Sequence, residues 1–427
     1  MTGCKENYSL NDWLDWLETL HPQEIELGLE RVSEVYERLN PAHRPLARQV
    51  IMVAGTNGKG SCVAMLEAIL LTAGYSVGSY TSPHLRYYNE RVRIGGIDMD
   101  DMTLCRSFAR VEVARGKTSL SYFEFGTLAA FDIFSRYKLD VALLEVGLGG
   151  RLDSVNIAEP DISVITSIGI DHEDWLGHDR DSIGIEKAGV MRTGKVTVCG
   201  ERDLPQSVRD VAMQKGARLQ CIGEDFDYRR NRDSWDWSGT GEYELTDLAV
   251  PGLQGECQYN NAATVLATLQ NLELFPVDQA DIDEGLEEAH CRGRFEVDID
   301  DPHLIYDVAH NRDSAAALAG ILVSRAIEGE TRVVFGVMAD KDIGAIVARL
   351  SAQVDRWYLA APAVVRAAEP GVVEKVCIDK GISRRAISKY GSVQEALEQA
   401  RKGATEVDRI VVCGSFYTVA EAMSQQV

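Results

Sequence analysis

The sequence lacks a surplus of basic residues: 44 Lys and Arg stand against 66 Asp and Glu, a formal net charge of −22. A chain that neutralises phosphates non-specifically needs the opposite balance, so a general nucleic-acid or anionic-membrane binder is not expected, and any polyanionic ligand must be held at a local positive site. No apolar run approaches the roughly 18 to 20 residues that cross a bilayer. The opening MTGCKENYSLNDWLDWLETL has neither the basic flank nor the unbroken apolar stretch of a secretory signal, which points to a cytoplasmic protein. Nine cysteines are present (Cys4, Cys62, Cys105, Cys199, Cys221, Cys257, Cys291, Cys377 and Cys413) without a C-x-x-C pair. An odd, scattered set suits small apolar residues in a reducing compartment, not disulfides or zinc ligands. Repeats and low-complexity tracts are also missing.

What is there is a large, ordinary globular composition. The 427 residues are 45% hydrophobic and 26% charged, and at roughly 100 to 200 residues per domain they imply two to four domains. Short β-branched runs at 50–54, 141–146, 162–167 and 196–199 alternate with helical patterns such as 61–73, the order of parallel strands joined by crossover helices. Residues 225–256 break into a polar, Trp- and Gly-rich stretch that reads as a hairpin excursion, followed by helical patterns at 260–272 and 278–289. A second alternation, with strand-like runs at 304–308, 332–337, 356–360 and 410–413, predicts a smaller α/β domain beginning near residues 290 to 296.

The most informative segment lies between the first strand and helix: Gly55-Thr56-Asn57-Gly58-Lys59-Gly60-Ser61. Glycines there let backbone N–H groups face phosphate oxygens at a helix N-terminus, Lys59 adds positive charge, and the Ser61 hydroxyl can reach a bound Mg²⁺. The segment departs from G-x-x-x-x-G-K-[ST], because the first gap is short and Gly60 separates lysine from serine. Glu145 ends a Val/Ala/Leu run at the mouth of a predicted parallel strand, where α/β proteins bind ligands; a carboxylate there is a cation ligand or a salt-bridge partner, and the phosphate loop in the same domain favours Mg²⁺. Other positions stay open on residue type alone. His172 suits a structural hydrogen bond as well as a ligand, Lys187 a solvent-facing partner of Glu186, and Asn261 a helix cap. Residues 21–32 read as the start of an amphipathic helix with Ile25, Leu29 and Val32 inward.

Taken together, these motifs resemble the Mur ligase superfamily and, within it, the folylpolyglutamate synthases. The resemblance runs in order through the loop at 55–61, Thr81-Ser82-Pro83-His84-Leu85, Asn89-Glu90-Arg91-Val92-Arg93-Ile94, and Tyr122-Phe123-Glu124-Phe125-Gly126-Thr127. It continues through Glu145 to Asp153 (EVGLGGRLD), Asp171-His172 and Glu186-Lys187-Ala188-Gly189. In the second half it takes in Asn261-Ala262-Ala263, Gly293-Arg294-Phe295, Asp307-Val308-Ala309-His310-Asn311 and Cys413-Gly414-Ser415-Phe416. It implies an N-terminal P-loop ATPase-like domain (residues 1–290) with a mostly parallel sheet and a smaller, Rossmann-like α/β domain (291–427).

The implied site is specific. Residues 55–61, Asn261, Arg294 and Asp307 would hold ATP, with Asn261 on the adenine, Arg294 on the phosphates and Asp307 on the ribose hydroxyls or in an interdomain hydrogen bond. Ser61, Ser82, Glu145 and His172 would hold Mg²⁺, and Lys187 would be a carbamylated lysine. Lys59, Lys187, His172 and Arg294 are the implied catalytic set. Gly28, Leu29, Arg31, Phe123 and Asp153 match a pterin-binding set of bifunctional bacterial enzymes, and His310 lies with the incoming glutamate. Arg312 stands where family members often have proline, a local departure. The implied activity is ATP-dependent ligation of L-glutamate to dihydropteroate and tetrahydrofolates through an acyl phosphate, by a monomer. Folylpolyglutamate synthesis alone, or a cell-wall Mur ligase of the same chemistry, is the alternative reading. A nucleotide switch is disfavoured by the missing N-K-x-D signature.

Overall fold

A computed structural model describes residues 8–21 and 26–424. Contacts divide the chain into two units: Met1–His84, Tyr88–Gly252 and Asn260–Ala289 form the first, and Leu85–Tyr87, Leu253–Tyr259 and His290–Val427 the second. Both are α/β with mostly parallel sheets, as expected.

The first unit is built on eight strands: β1 (Gln49–Ala54), β2 (Val77–Tyr80), β3 (Val92–Ile94), β4 (Ile97–Asp98), β5 (Val141–Glu145), β6 (Ile162–Ile165), β7 (Val196–Cys199) and β8 (Arg218–Cys221), in the order β4-β3-β2-β5-β1-β6-β7-β8. The six strands from β2 to β8 across the sheet pair in parallel, while β3 and β4 add an antiparallel edge. Apart from Gln49, β1 and β5 are buried throughout, which is why both read as continuous apolar runs: parallel strands are covered on both faces.

Helices supply those covers. α1 (Leu10–Leu20) and α2 (Glu30–Leu39) give Leu10, Trp13, Leu17, Val32 and Val35 to one core; α3 (Lys59–Thr72) follows β1 directly; α4 (Asp101–Arg115) and α5 (Tyr122–Phe134) add Phe108, Phe125 and Phe131 to the core of α1 and α2. Burying each such side chain is worth about 1.5–3 kcal/mol. α1 and α5 begin with capping boxes, Ser9 with Asp12 and Ser121 with Glu124, so their starts are written in the local sequence. Beyond β6 come α6 (Glu173–Leu176), α7 (Arg180–Ala188) and α8 (Gln206–Lys215), whose Ile183, Ala188, Val208 and Ala212 form a second core with Ile165 and Cys199.

The excursion at 225–256 is a three-stranded antiparallel sheet of β9 (Asp227–Arg230), β10 (Trp235–Ser238) and β11 (Glu244–Leu248). Trp235 and Trp237 are buried there, and each indole N–H finds a carbonyl: Ala249 O at 2.8 Å and Ala263 O at 3.1 Å. α9 (Cys257–Gln270) and α10 (Gln279–Glu288) complete the helices. Gly285 of α10 lies so close to α3 that a β-carbon there would stand 2.5 Å from Ile69 Cα.

The helix expected from residue 21 is corrected. Residues 22–25, including Ile25, lie outside the described residues, and 26–28 are not helical. Gly28 has φ +156° and donates its N–H to Leu152 O at 3.3 Å, so the backbone is engaged elsewhere, and α2 starts only at Glu30. Val32 is inward as expected and Leu29 packs partly against the same core.

The second unit has six strands, β12 (Glu296–Val297), β13 (Leu304–Tyr306), β14 (Thr331–Phe335), β15 (Arg356–Leu359), β16 (Ile387–Lys389) and β17 (Arg409–Cys413), ordered β12-β13-β17-β14-β15-β16. All but β12 pair in parallel. A core lies on each side of the sheet. No described helix is long and apolar enough to cross a membrane.

Candidate active site

The loop between β1 and α3 is held from behind by the segment after β6. Thr56 N–H donates to Ser167 O at 2.9 Å and Asn57 N–H to Ser167 Oγ at 2.9 Å, while Thr166 Oγ donates to Asn57 O at 2.6 Å. Thr56 Oγ bonds Gly169 twice, accepting from its N–H at 3.0 Å and donating to its carbonyl at 3.1 Å. Two glycines are needed. A β-carbon on Gly55 would meet Thr166 Oγ at 1.9 Å, and Gly58 caps α3 in the left-handed region at φ +88°. Lys59 Nζ donates back to the carbonyls of Gly55 (3.1 Å) and Thr56 (3.3 Å), which holds its charge over the loop. Ser61 is buried in the first turn of α3.

Asn261 is not a cap. It lies inside α9, buried, with its Oδ1 where a β-carbon on Gly58 would come within 2.6 Å, so the structure brings this residue to the loop.

Next along the sheet edge, Glu145 ends β5, and its buried carboxylate accepts the Ser82 N–H at 3.1 Å. β2 and β5 pair Tyr80 with Leu144, and β1 and β5 pair Val53 with Glu145, so the residues after all three strands share one edge. His172 follows β6 with φ +53° at the start of α6, its own N–H donated to Asp171 Oδ1 at 2.9 Å.

Lys187 departs from the solvent-facing reading. It is only 3% exposed on α7, and Glu186 pairs instead with Arg151 at 2.8 Å. Burial, and then repulsion from Lys59, push its amine down to about 7, partly opposed by Asp171. The signal was available: Ile183 and Lys187 are four apart and therefore share the buried face of α7.

The segment 145–153 wraps from Glu145 to α7. A β-carbon on Gly147 would strike the Phe123 ring at 2.6 Å, and one on Gly150 would strike Glu186 O at 2.8 Å. Asp153 at its end is buried, accepts N–H bonds from Leu148 (2.8 Å) and Val155 (2.9 Å), and has its carboxyl pushed up to about 6 by desolvation. Phe123 lies stacked on Tyr80 at 6.1 Å between centroids. Arg31 donates to Glu124 Oε1 at 3.0 Å and to Glu26, and its buried Nε has no hydrogen-bond partner among the described residues. Gly28 through Leu152, and Arg31 through Glu124, thus meet the neighbours of Asp153 and Phe123.

Two residues quoted in the sequence motifs without a role are joined here. Arg91, buried, donates from Nε to His84 Nδ1 at 2.8 Å and lies over the rings of Tyr88 (5.4 Å) and Tyr122 (5.6 Å). Burial, then Arg91, push His84 down to about 4. Nothing in residue spacing marks this pair, because a loop and a short 3₁₀ turn bring them together.

The second unit carries its own set. Asp307 follows β13, buried, with N–H bonds from Phe295 at 2.9 Å and Ala309 at 2.8 Å, and desolvation raises its carboxyl. Arg294 lies over the Phe416 ring at 5.7 Å, and His310, its Nδ1 2.8 Å from Val308 O, faces the same ring at 5.9 Å. Arg312 is the first residue of α11 (Arg312–Ser324), which Asn311 caps normally, so the departure from proline leaves the helix start intact.

Comparison with known proteins adds identity to this geometry. Residues 293–416 match the model of the Mur ligase, glutamate ligase domain. The dihydrofolate synthase/folylpolyglutamate synthase of Escherichia coli (strain K12) is 43% identical over 414 residues, 97% of this chain and 94% of the relative. Among solved structures, E. coli FolC in complex with DHPP and ADP matches with a TM-score of 0.92 and 42% identity over 98% of each chain. The bifunctional folylpolyglutamate synthase/dihydrofolate synthase of Yersinia pestis, complexed with AMPPNP and Mn ion, matches with a TM-score of 0.89 and 46% identity over 98% of each chain. With that likeness running through nearly the whole of both chains, the protein belongs to the dihydrofolate synthase/folylpolyglutamate synthase family of Mur ligases.

Proposed function

We propose that this protein uses ATP to join L-glutamate to dihydropteroate, forming dihydrofolate, and to reduced folates, forming folylpolyglutamates. The observation that carries the reading is the convergence, at the ends of β2, β5, β1 and β6, of the phosphate loop, the Ser82–Glu145 pair and the buried Lys187. Relatives of the same fold hold ADP, AMPPNP and manganese.

A carboxylate is a poor electrophile, so amide formation needs activation. The substrate carboxylate takes the γ-phosphoryl group, giving an acyl phosphate and ADP; the glutamate amine then attacks the acyl carbon and phosphate leaves. Loop N–H groups and Lys59 hold the phosphates, and most of the catalysis is positioning and charge neutralisation. Ser61, Ser82 and the buried Glu145 carboxylate are hard oxygen donors at one strand edge, a donor set that fits Mg²⁺, with His172 as a nitrogen ligand. Bound there, Mg²⁺ would neutralise charge on the phosphate oxygens.

Lys187 is assigned as a carbamate. An amine brought down to about 7 is substantially unprotonated at neutral pH and can add CO₂, releasing a proton and leaving an anion; this removes the repulsion with Lys59. Gly28, Leu29, Arg31, Phe123 and Asp153 are assigned to the pterin, Asn261, Arg294 and Asp307 to the nucleotide, and His310 to glutamate. ATP turnover measured with each co-substrate omitted tests the reading: ADP release should need both the pteroate and glutamate for sustained turnover, and hydrolysis independent of both would refute it.

A further inference from the structure

Resting on the ligase reading, we infer that His84 is a catalytic residue, a neutral imidazole that donates its Nε2–H to the carbonyl oxygen of the acyl phosphate, and that Arg91 is the positioning residue that sets its tautomer. The geometry comes first. Arg91 Nε can only donate, so the His84 Nδ1 it meets at 2.8 Å must be the unprotonated nitrogen, which leaves the ring hydrogen on Nε2. Arg91 cannot swing away easily. It is 8% exposed and packed over Tyr88 and Tyr122, and the His84 ring itself lies 5.8 Å from that of Tyr88.

The location follows from the chain. His84 is two residues beyond Ser82, whose N–H holds Glu145 on the phosphate side, while Tyr122 adjoins Phe123 on the side assigned to the pterin. A pteroate laid from Phe123 and Asp153 toward Ser82 and Glu145 carries its reacting carboxyl carbon past this pair. At that point the chemistry needs a donor. When the glutamate nitrogen bonds to the acyl carbon, the carbonyl electron pair moves onto oxygen; when the C–O bond to phosphorus breaks, the pair returns, phosphate leaves with the bonding electrons, and the amine proton is lost to solvent. The imidazole exchanges no proton in this sequence. It supplies a fixed N–H to the oxyanion, and Arg91, packed over the rings of Tyr88 and Tyr122, prevents the tautomer that would present a lone pair there instead.

The test separates the two half-reactions. Phosphoryl transfer is read as oxygen-isotope scrambling at the β,γ-bridge of ATP with dihydropteroate and no glutamate; ligation is read as product formation with glutamate. His84→Leu should lose about 10²- to 10³-fold in kcat for ligation, the loss expected for one oxyanion donor, with both KM values within a few-fold and scrambling retained. His84→Gln, whose amide can place an N–H near the Nε2 position, should recover at least tenfold of that loss. Arg91→Leu should lower kcat in the wild-type background but change little in His84→Gln, because an amide needs no tautomer control. An unchanged kcat in His84→Leu overturns the proposal. So does equal loss of scrambling and ligation in both His84 variants, or failure of His84→Gln to exceed His84→Leu when both melt at the wild-type temperature; if His84→Leu does not fold, His84→Gln at full activity alongside an insensitive Arg91→Leu has the same force. Absence of scrambling and of product in the wild type would instead strike the ligase reading itself.

Discussion

Asn261 Oδ1 occupies the space that a side chain on Gly58 would take: a β-carbon built there stands 2.6 Å away, on a residue whose φ is +88°. Gly58→Ala therefore meets two penalties, roughly 1–2 kcal/mol for the left-handed backbone and displacement of Asn261. Nucleotide affinity should fall about tenfold, equivalent to 1.4 kcal/mol, in a titration of ATP binding. Gly74→Ala is the control: its φ is +81°, nothing lies within 4 Å of the added carbon, and the same titration should be unchanged although the protein melts lower.

The Lys187 assignment predicts two responses. Stripping CO₂ and bicarbonate should lower activity and adding bicarbonate should restore it, while Lys187→Ala should be inactive yet folded, and short carboxylic acids should partly rescue it. In the CO₂-free protein the sign of the stability effect is fixed. The unfolded chain keeps the proton up to about 10.5 and the folded chain releases it near 7, so between those pH values the folded form binds fewer protons and stability rises with pH. Denaturant titrations of CO₂-free wild type and Lys187→Met should differ in that slope. Full activity without CO₂, together with an active Lys187→Ala, would return Lys187 to a structural role.

Asp153 predicts the opposite slope in a lower window. Its folded carboxyl titrates near 6 against an ordinary 3.8, so its contribution is fully present below the ordinary value and is lost as pH rises through 6. Ionised Asp153 is also the form that can accept hydrogen bonds from a pterin. Dihydropteroate binding, followed by calorimetry, should weaken as pH falls through about 6, and Asp153→Asn should flatten that dependence; an unchanged profile in the variant would remove Asp153 from the pterin site.

These contrasts also mark what the sequence disclosed. The parallel strands were legible because burial on both faces leaves uninterrupted apolar runs, as in 141–145, and the phosphate loop because only glycines fit where Gly55 and Gly58 sit. Glu145 was readable as the polar residue ending such a run. The β3–β4 hairpin escaped notice although Gly95-Gly96, both at positive φ, marks its two-residue turn between Ile94 and Ile97. The helix expected from residue 21 does not run through 26–28, and starts only at Glu30, because apolar spacing says nothing of Gly28 bonding to Leu152, more than a hundred positions away. Asn261 with Gly58 was beyond reach for the same reason, since tertiary packing sets that pairing, whereas Arg91 meets His84 through the local path of a loop and a short 3₁₀ turn that residue spacing does not mark.

The central claim is tested most directly by mass spectrometry of the products formed from dihydropteroate and, separately, from tetrahydrofolate, each with ATP, Mg²⁺ and L-glutamate. The account predicts that both substrates gain glutamyl residues with matching release of ADP and phosphate. ATP consumed without a glutamylated product from either substrate, or glutamate added to tetrahydrofolate alone, would contradict it.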